Sequence, residues 1–258
     1  MLINDVNVEA GKVPLNARSP FLEGRCVADL DKLRAAGLCP TNEDLVASLT
    51  DQITYLGTMK GRRVIKTHLT FEFLPPKLLE TCKVIYVARN PKDCAVSFYH
   101  HNLTVKGHSY IGDFDQFIRF FEEGLHVFGN YWQHVRGGWS RRHHDNVKFL
   151  WFEEMKVNQK SVIENLCDFL QHPLNDEQVN RLVEHVKFEN MKNNPWANPA
   201  SGLPLPSGEK GFEFMRKGQV GDWKNYFDDE RNAKWKKWIV DNIKGTGLEE
   251  LNLFKNLV

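Results

Sequence analysis

Long apolar runs are missing from this 258-residue sequence. A helix that spans a bilayer needs about 20 consecutive apolar residues, and no stretch of the chain approaches that length. The opening residues, MLINDVNVEAGK, are polar and acidic, whereas a secretory signal is basic and then apolar. We therefore expect a soluble, cytoplasmic protein without a membrane partner.

Cysteine is scarce and shows no disulfide or metal-binding pattern. The chain has five cysteines, an odd number, and none are spaced as C-x-x-C. It contains no H-E-x-x-H motif, and the side chains of the adjacent pairs His100-His101 and His143-His144 would diverge on a helix. We expect reduced cysteines and no bound metal.

An excess of charge of either sign is also absent. The 34 lysines and arginines nearly cancel the 33 aspartates and glutamates, which leaves a net charge of +1. No overall field attracts the chain to nucleic acid, so any anion site must be local. Neither a G-x-x-x-x-G-K-[ST] phosphate loop nor a G-x-S-x-G nucleophile turn occurs in the sequence.

Strand-like and helix-like segments alternate along the chain. Strands are predicted at Arg63 to Lys66, Lys83 to Ala88 and Val147 to Phe152. The predicted helices are Asp29 to Ala36, Thr41 to Leu56, Pro91 to His101, Asp113 to Glu123, Val127 to Trp139, Asn158 to Leu170, Asp176 to His185 and Asp229 to Ile243. Loops are predicted up to about residue 25 and over 194–211. This order predicts an α/β fold, a mainly parallel sheet flanked by helices, as one domain over residues 1–258.

Two of the predicted strands end at residues that could carry chemistry. Arg89 follows the strand at 83–88, and a forked guanidinium together with the Ser97 hydroxyl on the next helix could hold a phosphate. The alternative is that Arg89 pairs with Asp93 and Ser97 is an ordinary surface residue.

Lys66 and His68 end the preceding strand, and an imidazole with an ordinary pKa of about 6.5 suits a general base. The alternative is that His68 is a hydrogen-bonded structural residue, which is the more common role of a lone histidine.

A third stretch places two cations beside glycines. In Arg216-Lys217-Gly218-x-x-Gly221-Asp222-Trp223 a flexible backbone could fold over an anion and present its N–H groups to it. The alternative interpretation is a solvated basic turn.

Taken together, three stretches resemble the cytosolic sulfotransferases in their order and spacing. They are Lys66-Thr67-His68, Arg89-Asn90-Pro91-Lys92-Asp93-x-x-x-Ser97-x-Tyr99 and Arg216-Lys217-Gly218-x-x-Gly221-Asp222-Trp223-Lys224-Asn225. Shorter matches support them: Pro20-Phe21-Leu22-Glu23, Phe71 to Pro76, Glu153-Glu154-Met155-Lys156 and Phe188-Glu189-Asn190-Met191-Lys192.

The resemblance implies transfer of a sulfuryl group from 3′-phosphoadenosine 5′-phosphosulfate (PAPS) to a hydroxyl or amine of a small lipophilic acceptor such as a phenol, steroid or alcohol. It implies that His68 is the general base and that Lys66 is the cation beside the reacting group. The residues it assigns to the donor are Arg89, Ser97, Arg216, Lys217 and Gly218 at the 3′-phosphate, with Phe188, Met191 and Phe152 also in the donor site. Phe188 would stack on adenine, and Phe152 replaces the usual tyrosine.

The sequence departs from the family pattern in two places. The family's P-K-S-G-T-T-W loop is not found in the 258 residues, so we expect a sheet without its first strand and phosphosulfate loop. A catalytically impaired binding or regulatory protein is therefore the alternative function. In addition, the family's dimer motif, K-x-x-x-T-V-x-x-x-E, maps onto Lys224, Asp228-Asp229 and Ala233. Because two carboxylates replace T-V, we expect this dimer not to form.

Overall fold

The computed structural model describes residues 2–24, 51–104, 110–198 and 214–255. Two parallel strands in this part of the chain are β1 (Val84–Ala88) and β2 (Val147–Trp151). The α-helices in the same part are α1 (Leu15–Arg18), α2 (Gln52–Thr58), α3 (Leu78–Thr81), α4 (Pro91–Thr104), α5 (Phe114–Glu123), α6 (Tyr131–Trp139), α7 (Phe152–Val157), α8 (Gln159–Leu170), α9 (Asp176–His185), α10 (Phe188–Lys192), α11 (Asp229–Ile243) and α12 (Asn252–Lys255).

The chain divides into two compact units. One comprises residues 1–68, 100–111 and 163–218, and we call it the first unit. The second unit comprises residues 69–99, 112–162 and 219–258. Among the described residues, no helix is long and apolar enough to cross a bilayer.

The sheet of the second unit pairs β1 with β2 in parallel, from Val84 opposite Val147 to Ala88 opposite Trp151. Both strands are rich in β-branched and aromatic residues, which favour a pleated, half-buried surface. Pro91 is the first residue of α4 and lacks the N–H that a continuing strand would need. The α/β prediction and both of these strands are confirmed, except that Phe152 begins α7 instead of ending β2.

The third predicted strand, Arg63 to Lys66, is wrong. Its only regular pairing among the described residues is a single parallel bridge between Phe21 and Lys66. Val64 and Ile65 are each 45% exposed. Because little apolar surface is buried here, the hydrophobic effect does little to stabilise a longer strand pairing.

Aromatic residues fill the core of the second unit. Phe117 and Phe121 on α5, Trp132 on α6 and Trp235 on α11 are at most 2% exposed, and the Phe121 and Trp235 rings stack with centroids 5.8 Å apart. The buried Trp235 therefore anchors α11 in this core. Such rings bury large apolar areas and favour offset packing.

Caps explain why some helices differ from their predicted bounds. The predicted helix Val127 to Trp139 begins instead at Tyr131, because Gly129 has φ of 76° and the Asn130 side chain accepts a hydrogen bond from the Gln133 N–H. In α2, Asp51 caps the first turn by accepting from the Thr54 N–H. The predicted helix Asp29 to Ala36 and residues 41–50 lie outside the described residues.

The first unit has an apolar core of its own. Val6, from the N-terminal segment, packs with Ile163 and Cys167 of α8 and with Val179 and Leu182 of α9. The α9 helix has the predicted bounds and begins with a capping box formed by Asn175 and Gln178. The prediction of loop up to residue 25 missed α1 and two turns of 3-10 helix. Most of the predicted loop over 194–211 lies outside the described residues.

Candidate active site

The Lys66-Thr67-His68 segment of the first unit is held by the Pro20-Phe21-Leu22-Glu23 segment. The Lys66 N–H donates to the Pro20 carbonyl at 2.9 Å, and the Leu22 N–H donates to the Lys66 carbonyl at 2.8 Å. The Phe21 ring lies 4.4 Å from the Lys66 ammonium and 4.8 Å, edge to face, from the His68 ring. One aromatic side chain thus positions both the cation and the imidazole.

Glu23 is the acidic group of this segment and is 8% exposed. Its Oε1 accepts hydrogen bonds from the Thr67 hydroxyl at 3.1 Å and from the His68 backbone N–H. The same oxygen lies 3.9 Å from His68 Nδ1. Desolvation lowers the pKa of Lys66, although its side chain reaches solvent, and the negative charge of Glu23 acts in the opposite direction.

Phe188 and Gly218 come together in the first unit. Phe188 is the first residue of α10, and Gly218 has φ of 60°. A Cβ on Gly218 would lie 2.6 Å from Phe188 Cε2, which is closer than side chains pack. Met191 is half-buried on α10, and the half-buried Arg216 and exposed Lys217 directly precede the glycine. The two cations therefore lead into a backbone turn that fits closely against an aromatic ring.

Arg89 of the second unit has a defined position at the carboxyl end of β1. Its guanidinium carbon lies 4.5 Å from the Phe152 ring centroid, and Nη2 donates to the Gln219 carbonyl at 3.0 Å. The Tyr131 hydroxyl donates to the Arg89 carbonyl at 2.6 Å. A cation stacked on a ring keeps its remaining N–H groups available to an anion.

Asp93 binds backbone N–H groups of the G-D-W turn. The ion pair between Arg89 and Asp93, which was the alternative prediction, is therefore not the one that the structure shows. The Asp93 carboxylate accepts from the Gly221 N–H at 2.6 Å and from the Trp223 N–H at 2.9 Å. Gly221 has φ of 87° and precedes the 3-10 helix Asp222–Asn225. The aspartate of the R-N-P-K-D stretch thereby fixes the G-D-W turn.

Two buried residues of the same stretch, Lys92 and Asn90, make further contacts with Trp223 and Glu153. Lys92 is 2% exposed, lies 4.2 Å above the Trp223 ring and donates to the Asn232 side chain. Desolvation lowers the pKa of Lys92 to about 8. The Asn90 side chain accepts from the Lys92 N–H at 2.9 Å, and the Asn90 N–H donates to Glu153 at 2.9 Å. The sequence alone does not predict these structural roles, because they depend on contacts between residues that are far apart in the chain.

Ser97 is half-buried on α4, four residues beyond Asp93 and so on the same helix face. Cys94 lies between them in sequence, and desolvation raises the pKa of its thiol to about 11, which keeps the thiol protonated near neutral pH. Among the described residues, no group of three or more His, Cys, Asp or Glu side chains could hold a metal ion.

Phe71 and Phe73, from the Phe71 to Pro76 match, form a short 3-10 helix in the second unit. Phe73 is 74% exposed, whereas Phe71 stacks on Tyr86 with centroids 6.3 Å apart. Phe73 is therefore a large apolar side chain exposed on the surface, whereas Phe71 packs against a residue of β1.

These features define the class of protein to which the chain belongs. The sulfotransferase domain family matches residues 1–247. The chain is therefore a member of the sulfotransferase family and, by resemblance, a transferase of that kind.

Individual relatives agree with this assignment. Human sulfotransferase 1E1 is 36% identical over 203 residues, which are 78% of this chain and 69% of that protein. Two crystal structures of retinol dehydratase are 33% identical and cover 95% of this chain and 75% of their own. One contains androsterone and the inactive cofactor PAP and superposes with a TM-score of 0.82; the other contains retinol and PAP, with a TM-score of 0.83.

Proposed function

We propose that this chain transfers a sulfuryl group from PAPS to a hydroxyl or amine of a small lipophilic acceptor in the cytoplasm. Family membership supports the reaction class, and PAP, the product that PAPS leaves behind, occupies both retinol dehydratase structures. Androsterone and retinol in those structures support an apolar acceptor with a hydroxyl group. The observation in this chain that carries the proposal is the shared packing of Lys66 and His68 on Phe21.

Donor recognition is proposed for the residues that the resemblance assigns to it. Arg89 and Ser97 would bind the 3′-phosphate, and Arg89 is suited to this because Phe152 supports its guanidinium plane. Arg216, Lys217 and the Gly218 backbone would contribute further positive charge and an N–H donor. Phe188 and Met191, both on α10, would contact the adenine.

In the proposed step, His68 takes the proton of the acceptor hydroxyl while the acceptor oxygen forms a bond to the donor sulfur. The bond between sulfur and the bridging phosphate oxygen breaks, and its electron pair leaves with the 5′-phosphate. The Lys66 ammonium offsets the negative charge that develops around the sulfur and the leaving oxygen. Proton transfer, positioning and charge neutralisation are all that such a reaction requires of the protein.

The test is an assay of sulfuryl transfer from PAPS to 4-nitrophenol and to a steroid alcohol by the purified full chain. We expect transfer by the wild type and a fall of about 10²- to 10⁴-fold in kcat for His68→Ala, since the general base is lost. His143→Ala, which removes an exposed histidine, is the matched control. Tight binding of PAP without transfer by the wild type would instead support the binding-protein alternative, and absence of both would refute the proposal.

A further inference from the structure

We propose that Glu23 is a positioning residue for His68, which it acts on through both the backbone and the charge of its carboxylate. The inference rests on the proposed function, because Glu23 acts on the reaction only through the proposed base. The proposed catalytic groups of this segment, Lys66 and His68, would thus be assisted by a third residue, Glu23.

Geometry is the first argument. A single oxygen, Glu23 Oε1, accepts from the Thr67 hydroxyl at 3.1 Å and from the His68 backbone N–H, and it lies 3.9 Å from His68 Nδ1. The first two contacts fix the backbone from which the imidazole projects. The third is too long for a hydrogen bond, but it brings the carboxylate close enough to stabilise the ring once the imidazole is protonated.

Burial is the second argument. Glu23 is 8% exposed, and a carboxylate removed from water is costly unless donors and positive charge compensate it. Its second oxygen, Oε2, is buried and has no hydrogen-bond partner among the described residues. A fold that needed only a turn at Thr67 could use a neutral acceptor at lower cost, so the buried charge itself calls for an explanation.

The charge has a specific consequence for His68. Because the carboxylate lies on the Nδ1 side of the ring, it favours the tautomer that carries its proton on Nδ1. This tautomer leaves the Nε2 lone pair to take the acceptor proton. The carboxylate also stabilises the imidazolium formed by that transfer, as an oriented acid does for other catalytic histidines.

The first part of the test is kinetic and uses Glu23→Gln, which keeps the size and one acceptor but removes the charge. We expect a fall of about 10- to 100-fold in kcat with PAPS and 4-nitrophenol, while KM for PAPS and the calorimetric Kd for PAP stay within about 2-fold. The double variant Glu23→Gln/His68→Ala should be no slower than His68→Ala alone, since both changes remove one function. Glu80→Gln, an exposed glutamate on α3, is the matched control.

The second part does not depend on turnover. Nitrogen-15 NMR of the imidazole, recorded above its titration, should show mainly the Nδ1–H tautomer of His68 in the wild type and a shift toward Nε2–H in Glu23→Gln. Glu23→Asp, which shortens the side chain but retains the charge, should keep more of the wild-type tautomer. This arm still decides the inference if the wild type proves inactive, in which case only the proposed function fails.

Two results would overturn the inference. One is an unchanged tautomer in Glu23→Gln, whatever the activity. The other is a loss of PAP affinity and folded stability in parallel with kcat, with the double variant multiplying the two single losses, because that pattern describes a residue that only supports the fold.

Discussion

Single residues in this protein are placed by close contacts that leave little room for change. Gly218 is the clearest case, because its φ of 60° favours glycine and its missing side chain lets the backbone approach the Phe188 ring. Arg89 is similarly constrained by the Phe152 ring and the Gln219 carbonyl. Replacing either residue by one of similar size or charge would not restore these contacts.

We therefore expect Gly218→Ala to destabilise the protein by about 1–3 kcal/mol, since a Cβ would overlap Phe188 in a backbone conformation that alanine disfavours. Urea denaturation measures the change, and PAP affinity should fall with it. Gly57→Ala on α2 is the control: a Cβ there meets nothing within 4 Å, so the change should be neutral or stabilising. Equal effects at the two glycines would contradict this account.

Secondary-structure elements are connected in the second unit by aromatic packing that includes one titratable ring. His126, which follows α5, stacks on Phe121 with centroids 5.1 Å apart and meets the Phe98 ring edge to face at 5.0 Å. Neither ring nitrogen has a hydrogen-bond partner among the described residues. Desolvation lowers the pKa of His126 to about 4.

This packing predicts a dependence of stability on pH. Because the folded-state pKa of His126 lies below its ordinary value of 6.5, the unfolded chain binds the proton more readily. The contribution of neutral His126 is fully present above about pH 6.5 and is lost as the pH falls toward 4, by at most about 3 kcal/mol. Denaturation between pH 4 and 8 should show a shallower loss for His126→Phe than for the wild type. An unchanged slope, equal to that of the exposed-site control His143→Phe, would contradict the prediction.

The whole chain shows which parts of the structure a sequence can predict. The bounds of α9 and α11 were correct because each helix has both a recognisable N-terminal signal and a regular apolar face. The strand predicted at Arg63 to Lys66 failed because its apolar residues remain exposed, which local pattern does not reveal.

Contacts between distant residues were also beyond local pattern. Glu23 and His68 are 45 residues apart, and Asp93 and Gly221 are 128 apart, yet both pairs are hydrogen-bonded. Local pattern identifies the motifs. Only the fold shows that Asp93 binds backbone N–H groups of the G-D-W turn and that Glu23 binds Thr67 and His68. The assignment of donor-binding and catalytic roles to individual side chains stays a prediction.

Association of whole molecules is a further prediction. Asp228 caps α11 by accepting from the Arg231 N–H at 2.8 Å, and Asp229 lies in the first turn of that helix. The two carboxylates thus favour the helix start and would repel their symmetry mates in the family dimer. Light scattering coupled to size-exclusion chromatography should give the molar mass of a monomer, 29.9 kDa. A dimer that Asp229→Lys disrupts would contradict this prediction.

Recognition of the 3′-phosphate is the claim on which the proposed donor, and hence the reaction, depends. The most direct test is calorimetric titration of the wild-type chain with PAP and with adenosine 5′-phosphate, which lacks that phosphate. We predict that PAP binds at least about 100-fold more tightly and that Arg89→Ala removes most of the difference, since charge-assisted, forked hydrogen bonds are lost. Equal affinity for the two nucleotides, or a preference for PAP that Arg89→Ala leaves intact, would contradict the account.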